Sequence, residues 1–249
     1  PPYNLLSIKE WGSKALLELL YFRALRQFAK RVIAISAFIA SELAKHGVKS
    51  IVLHNAVEVP RTLRFKSISG TIKLIYIGST AKHKAVNDLV KRLVLHRDEI
   101  VRGSGVDFTL TLAGFGTEKY KYLEYKYPWI KVMGTLPRNE LLRLYLDHHI
   151  YVTASKWEGF GLGPLEALAH GLPVISRKIP VAEELFAGCR AVRLIDFEPI
   201  LVAEAISNIY INYEDLQRRA SEWAKKFSWD QHMRCLLYTS DAADEGLGV

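Results

Sequence analysis

Two carboxylates flank a run of glycines in the second half of the chain. Glu158 comes directly before the first glycine, Gly161 and Gly163 follow, and Glu166 lies eight positions after Glu158. Glycine lets backbone amides approach a ligand closely, and Pro164 is tolerated in the first turn of a helix. A glycine loop that leads into a helix N-terminus attracts an anion. The pattern therefore predicts an anion site, with phosphate as the expected ligand.

The two carboxylates suggest what surrounds that phosphate. Carboxylates repel phosphate, so their useful role is to accept hydrogen bonds from hydroxyl groups on either side of it. A nucleotide sugar has this layout, with a ribose, a diphosphate and a hexose. The alternative is that Glu166 only favours a helix N-terminus and Glu158 is solvated. That alternative explains each residue alone but not the pair.

The elements around the loop follow from the apolar pattern. Residues 150–154 form an apolar run that predicts a buried parallel strand, and a helix should begin near Gly163. Gly171 is a suitable residue to end that helix, and residues 172–176 should form the next strand. Strand, loop and helix together place the glycines at the end of a sheet.

The same alternation extends over most of the chain. Helical stretches separate apolar strands predicted at residues 72–77, 108–113, 130–133, 150–154, 173–176 and 191–195. This order predicts an α/β fold with a Rossmann-like, doubly wound parallel sheet. Ligands bind such sheets at the carboxyl ends of the strands, so the loops after the strands should hold the site.

The first part of the chain has its own helices and a short strand. Residues 14–30 predict a basic helix, which either lies on a membrane surface or packs against protein; we favour packing because Glu18 interrupts the apolar half. Residues 31–36 predict a strand. Ser36 should cap a helix that runs to about His46, with Gly47 as its stop.

Composition excludes several classes of protein. With 249 residues, 49% of them hydrophobic, the chain can bury a large core, and no run approaches a membrane span or a signal peptide. We therefore expect a cytoplasmic protein. Cys189 and Cys235 are the only cysteines of the sequence, which argues against a disulfide framework or a cysteine-rich zinc site.

The last residues of the sequence lower the net charge of the chain. Residues 235–249 resemble a sequencing-library adapter translated in frame, and without them the formal charge rises from +8 to +11. A basic surface suits nucleic acid, anionic lipid or phosphorylated ligands. Because the basic residues are scattered and no nucleic-acid motif accompanies them, we expect no nucleic-acid partner.

The glycine loop also carries a family resemblance. Gly-Phe-Gly after Glu158, and Glu-Ala-Leu-Ala-x-Gly-x-Pro-Val-Ile from Glu166 onwards, resemble the Glu-x7-Glu signature of retaining glycosyltransferases of family 4, which have the GT-B architecture. The resemblance implies that Glu158 holds the donor hexose and Glu166 the ribose. It also implies that Lys84 and the amides of residues 161–163 stabilise the diphosphate, which makes Glu158 and Lys84 the catalytic candidates.

Other positions follow from the same resemblance. The family usually has Gly-Arg after the first strand, whereas this chain has Gly78 and Ser79, and a serine cannot replace a guanidinium. Lys82 is the candidate that compensates. Backbone groups near Thr135 and Leu136 should contact the base. The expected donor-binding residues are Gly78, Ser79, Lys82, Lys84, Thr135, Leu136, Glu158, Gly159, Phe160, Gly161, Leu162, Gly163 and Glu166.

The resemblance also divides the chain. Residues 1–58 should be the remnant of an N-terminal, acceptor-side Rossmann-like domain, 59–70 a linker, 71–234 the nucleotide-sugar-binding domain and 235–249 the adapter-like tail. The expected partners are a nucleotide-sugar donor and a glycan or lipid-linked acceptor, with peripheral contact to a membrane through the acceptor side. No metal or other cofactor is expected. The alternatives are a phosphorylase of similar architecture, and a non-catalytic nucleotide-sugar- or polyanion-binding module.

Overall fold

The computed structural model describes residues 20–244, with the side chains of residues 20–237. Of the helix expected at residues 14–30, residues 20–28 are helical (α1) and the earlier part lies outside the described residues. The end of the expected tail, residues 245–249, also lies outside them. No helix within residues 20–244 is both long and apolar enough to cross a membrane.

The larger unit is a six-stranded parallel sheet. Its strands are β3 (Ile72–Ile77), β4 (Phe108–Ala113), β5 (Ile130–Gly134), β6 (Ile150–Thr153), β7 (Val174–Arg177) and β8 (Val192–Ile195). They lie in the order β5-β4-β3-β6-β7-β8, and every pair is parallel. The strand order reverses between β3 and β6, which is the switch point of a doubly wound sheet. The predicted fold class is confirmed, and each predicted strand lies within two residues of its observed bounds.

Helices cover both faces of this sheet. They are α3 (Val86–Leu95), α4 (Arg97–Ser104), α5 (Leu123–Lys126), α6 (Arg138–Asp147), α7 (Leu162–Ala169), α8 (Pro180–Phe186), α9 (Pro199–Ile211) and α10 (Tyr213–Ala224). One apolar core joins Leu74 to α3, α4 and α9, and a second joins Ile75 to α7 and α8. Adjacent residues of β3 thus point into opposite cores, as the alternation of a strand requires.

A smaller unit precedes the sheet. Strands β1 (Ile33–Ala34) and β2 (Ile51–Val52) pair in parallel, with α2 (Ala37–Lys45) between them. The β1 strand is shorter than the predicted residues 31–36, because only two of its residues pair with β2. Ser36 caps α2 as predicted: its hydroxyl accepts a hydrogen bond from the amide of Ile39, and the helix ends before Gly47.

Residues 59–70 connect the two units without helix or strand, yet they are anchored. Lys66 exchanges two backbone hydrogen bonds with the side chain of Gln217 on α10. The last helix, α11 (Trp229–Asp244), returns to the smaller unit, where His232 donates to the carbonyl of His54. This helix runs across the boundary expected at residue 235.

Candidate functional site

A cavity of about 270 Å³ lies at the switch point, where the loops after β3 and β6 meet. Lys84 comes from the first loop and residues 158–164 from the second. Ile35 and Asn55 of the smaller unit complete its wall. The cavity therefore lies where doubly wound sheets bind their ligands, and the expected residues Lys84, Glu158, Gly159, Phe160, Gly161, Leu162 and Gly163 all line it.

Two buried tyrosines hold the loop after β3 in place. The Tyr76 hydroxyl donates to the carbonyl of Ser79 at 2.7 Å, and the Tyr151 hydroxyl donates to that of Ile77 at 2.8 Å. A Cβ atom on Gly78 would lie only 2.7 Å from the Tyr76 oxygen, so a side chain there would break this support. Burial raises the pKa of Tyr76 and of Tyr151, so both keep the proton that they donate.

Lys84 and Glu158 form an ion pair at the mouth of the cavity. The Lys84 ammonium donates to both carboxylate oxygens, at 2.6 and 2.8 Å, and the side chains of Lys84 and Glu158 are 26% and 17% exposed. A lysine ammonium has three N–H donors, so one stays available to a ligand. Ala85, directly after Lys84, adopts a left-handed conformation with φ 50°. This strain turns the chain from the short helix at Lys82–Lys84 into α3.

The glycine loop leads into α7 as predicted, although the helix begins at Leu162 instead of Gly163. Gly161 precedes it with φ 101°, in the range that favours glycine. Within the described residues, the amides of Gly161, Leu162 and Gly163 donate no hydrogen bond. A Cβ on Gly163 would lie 2.4 Å from the Tyr151 oxygen, so glycine is required for the close packing of this turn. Three free amides at a helix N-terminus are able to bind an anion.

Glu166 occupies a different place from the one expected. The predicted helix start would put it on the first turn, but it is the fifth residue of α7, on the second turn, and it does not line the cavity. Its carboxylate accepts hydrogen bonds from Arg138 at 2.6 Å and from the Tyr145 hydroxyl at 3.1 Å. The hydrogen bond to Glu166 raises the pKa of Arg138. Glu166 is thus held by two partners, although each oxygen keeps a lone pair for a further donor.

The remaining expected residues are not brought to the cavity. The Thr135 amide donates a hydrogen bond to the Glu118 carboxylate at 2.8 Å, so this amide already has a partner. The carbonyl of Thr135 and the backbone of Leu136 make no hydrogen bond within the described residues. The Gly78 amide donates to the carbonyl of Ala113. Ser79 contributes its carbonyl to Tyr76, and Lys82 is exposed and does not line the cavity.

Several site residues were missed. Arg138 and Tyr145 lie on α6, and Ile35 and Asn55 come from the smaller unit. Tyr76 and Tyr151 had a visible signal, since a hydroxyl-bearing ring in an otherwise apolar strand needs a partner for its proton. The others gave no signal, because their partners lie far away in the sequence.

Basic and acidic groups at the site are arranged as pairs, and no metal cluster accompanies them. In the described part of the chain, no group of three or more histidine, cysteine, aspartate or glutamate side chains could hold a metal ion. The cavity brings together backbone amides and a lysine, which can bind an anion, and a carboxylate, which can accept hydrogen bonds from hydroxyl groups.

Comparison with known proteins supports this interpretation at the level of the family. The model of the family described as glycosyl transferases group 1 matches residues 61–227, which is more than half of the chain. The matched region contains the whole six-stranded sheet and the cavity loops.

Two curated relatives match over shorter stretches. The GtfA subunit of the UDP-N-acetylglucosamine–peptide N-acetylglucosaminyltransferase of Streptococcus pneumoniae is 31% identical over 122 residues, which cover 45% of this chain and 22% of that protein. A glycogen synthase of Mycobacterium tuberculosis is 27% identical over 168 residues, or 65% of this chain and 39% of that protein. The chain thus spans well under half the length of these relatives.

A solved structure shows the same fold. The Anabaena protein Alr3699/HepE, crystallised with UDP and glucose, superimposes with a TM-score of 0.70 at 17% identity, over 91% of this chain and 68% of that one.

Proposed function

The chain belongs to the glycosyl transferases group 1 family, and from that premise we propose that it carries the donor site of a glycosyltransferase. The proposed reaction transfers a hexose from a nucleoside diphosphate sugar to an acceptor, with retention of the anomeric configuration, as in family 4 enzymes. The proposed donor domain covers residues 71–234, and residues 20–58 contribute Ile35 and Asn55 to its cavity.

The observation that carries the proposal is the arrangement at the cavity mouth. Three amides at the start of α7, which donate no hydrogen bond to any described residue, face the same cavity as the Lys84 ammonium. Together they offer four donors to a diphosphate, in a partly enclosed site where charge contacts are stronger than in water. The Glu158 carboxylate lies beside them and suits a hexose hydroxyl, while Glu166 suits the ribose hydroxyls.

The proposed chemistry needs little beyond these groups. The bond between the sugar and the phosphate oxygen breaks while the acceptor oxygen bonds to the same carbon from the same face. The departing phosphate oxygen takes the acceptor proton. Lys84 and the amides stabilise the charge that develops on the diphosphate, which is an electrostatic role. On donor binding, Lys84 shares its protons between Glu158 and the phosphate.

The donor base and the acceptor are proposed only as classes. The S. pneumoniae relative is named for UDP-N-acetylglucosamine, which makes a UDP-sugar the first donor to test. Backbone contacts near Leu136 would read the base, and backbone groups do not reveal its identity in the sequence. A glycan or lipid-linked acceptor, and contact with the cytoplasmic face of a membrane, are proposed as well.

The proposal is tested by a thermal-shift panel of UDP- and GDP-sugars, since a ligand that binds the folded chain raises its melting temperature. We expect at least one nucleotide sugar at millimolar concentration to stabilise the chain, and Glu158→Gln to reduce the gain from the sugar but not that from the free nucleoside diphosphate. The longest reading frame that contains this chain is then assayed for transfer. Stabilisation by no nucleotide sugar in the panel contradicts the proposal.

A further inference from the structure

A hydroxyl of the smaller unit donates a hydrogen bond to the glycine loop. The fully buried Ser36 hydroxyl donates a hydrogen bond to the carbonyl of Gly159 at 2.9 Å. The Ser36 hydroxyl oxygen also accepts a hydrogen bond from the amide of Ile39. Ile35 packs beside it, 3.3 Å from where a Cβ of Gly159 would lie. Ser36 and Gly159, which are 123 positions apart, are therefore joined in the glycine loop. The amides of the residues that follow Gly159 in this loop face the cavity.

The segment that follows Ser36 is in turn held by helix α8, which packs directly against α2. Glu184 on α8 accepts the amides of Ala37 and Phe38, at 2.7 and 2.8 Å, with one carboxylate oxygen on each. These are free amides of the first turn of α2, which has no acidic residue of its own there. The His54 imidazole lies 3.2 Å from the same carboxylate. Glu184 thus fixes both the position and the direction of the α2 N-terminus.

We infer that Glu184 is a positioning residue for the glycine loop, which acts through the α2 N-terminus and Ser36 on the carbonyl of Gly159. The inference rests on the proposed function, because it concerns how tightly the amides of residues 161–163 bind a diphosphate. A carbonyl that is held on one side fixes the peptide that follows it, and binding by amides depends on their being oriented before the ligand arrives. Loss of the Glu184 contact releases the loop without removing any group that touches the ligand.

A carboxylate is required at this position for a geometric reason. Two adjacent amides need two acceptor atoms, and an amide side chain offers one acceptor while its NH₂ group faces the second N–H. Glu184→Gln therefore loses one of the two contacts at unchanged size. The matched control is Glu183→Gln, since Glu183 is the exposed neighbour on α8 and pairs with Lys178 at 3.4 Å.

The experiment compares UDP and UMP binding by the 249-residue chain, by calorimetry or ligand NMR. We expect Glu184→Gln and Ser36→Ala each to weaken UDP binding about threefold to tenfold and to weaken UMP binding less, while Glu183→Gln changes neither. The double variant Ser36→Ala/Glu184→Gln should bind UDP as the weaker single variant does, because both substitutions break one chain of contacts. Amide resonances of Gly161 and Gly163 should shift in Glu184→Gln without ligand.

The outcomes separate this inference from the proposed function. If the unaltered chain binds no nucleoside diphosphate, the proposed function fails, and unshifted glycine resonances in Glu184→Gln then overturn the inference as well. If the unaltered chain binds UDP and Glu184→Gln binds it equally, the inference alone is overturned. A purely structural role predicts equal losses for UDP and UMP and additive effects in the double variant, and that result overturns it too.

Discussion

The two ends of the six-stranded sheet hold several of their basic groups in different ways. At the carboxyl ends of the strands, Lys84 binds Glu158 and Arg138 binds Glu166. At the amino ends, Arg97 also pairs with Asp107, but three other basic groups are buried against neutral partners. His148 lies between the carbonyl of Leu144 and the hydroxyl of Thr111. His149 accepts a hydrogen bond from the amide of Lys73. Lys66 donates hydrogen bonds to the carbonyls of Tyr145 and His148.

The pKa values record this difference. Burial lowers the pKa of His148 and of His149 to about 4, and that of Lys66 to about 8. A strongly shifted pKa often marks a functional site, yet these shifts lie at the end of the sheet that lacks the glycine loop. Burial also raises the pKa of Tyr76 and of Tyr151 beside the cavity, so shifted pKa values occur at both ends of the sheet and do not by themselves locate the candidate site. The buried bases are instead part of the stability of the fold.

The largest effect that tests this comparison is acid sensitivity of the amino ends. Because the folded pKa of His148 and His149 lies below the ordinary value of 6.5, the unfolded chain binds more protons between pH 6.5 and 4. Stability is therefore full above pH 6.5 and falls as the pH drops towards 4, by up to about 3 kcal/mol for each histidine. Urea unfolding at pH 7, 5.5 and 4.5 measures this loss.

The variant His149→Gln isolates the contribution of one histidine. Glutamine still accepts the amide of Lys73 but does not titrate, so the loss between pH 7 and 4.5 should become smaller. If His149→Gln loses as much stability between pH 7 and 4.5 as the unaltered chain does, His149 does not contribute to the acid sensitivity.

The second effect concerns the two lysines near the cavity. Lys84→Ala removes a charged donor from the diphosphate and leaves Glu158 without its partner. A hydrogen bond to a charged group is worth about 1.5–3 kcal/mol, so UDP affinity should fall about tenfold to a hundredfold. Lys82→Ala is the control, since Lys82 is exposed and does not line the cavity, and it should change affinity less than about twofold. Equal losses in the two variants would place the diphosphate elsewhere.

The third effect separates the two carboxylates. Glu166→Ala removes an acceptor for ribose hydroxyls and should weaken UDP binding about tenfold, from the loss of a charge-assisted hydrogen bond. Glu158→Ala removes a negative charge beside the phosphates and frees Lys84, so UDP affinity should stay the same or rise. Calorimetric titration with the free nucleoside diphosphate measures both. Weaker binding in Glu158→Ala than in Glu166→Ala would exchange the roles that we give them.

The smallest effect tests the strain at the site. Among the described residues, Ala85 is the one non-glycine residue with positive φ, and a left-handed conformation costs an L-residue about 1–2 kcal/mol. Glycine removes this cost but loses more entropy on folding, so Ala85→Gly should stabilise the chain by about 0.5–1 kcal/mol. Thermal unfolding checks this, with Ala81→Gly, at an exposed position before the turn, as the control. A lower melting temperature of Ala85→Gly would contradict the claim that the backbone of Ala85 is strained.

Much of the fold was predictable because its signals are local. Each strand of the large sheet is an apolar run between helical stretches. Glycine is favoured at 161 by its positive φ and required at 163 by the close approach of the Tyr151 hydroxyl. Helix α7 begins at Leu162, next to the predicted start near Gly163, because Gly161 takes the left-handed conformation and allows Leu162 to be helical.

The side-chain partners were not predictable, because they join distant parts of the chain. Arg138 and Glu166 are 28 positions apart, Glu118 and Thr135 are 17 apart, and Ser36 and Gly159 are 123 apart. Nothing in the spacing of these residues indicates that they meet. The pairing depends on which strands are neighbours, and that order appears only in the folded sheet.

The central claim is that the carboxyl ends of the strands, and not the amino ends, bind the diphosphate. The most direct test is a UDP titration of the isotopically labelled chain, in which the amide resonances of Gly161, Leu162 and Gly163 are followed together with those of His148 and His149. We predict saturable shifts at the three loop amides, with a Kd on the order of 0.1–1 mM (about 4–5.5 kcal/mol), and unmoved histidine amides. Shifts that are absent from the loop, or larger at the two histidines, would contradict the claim.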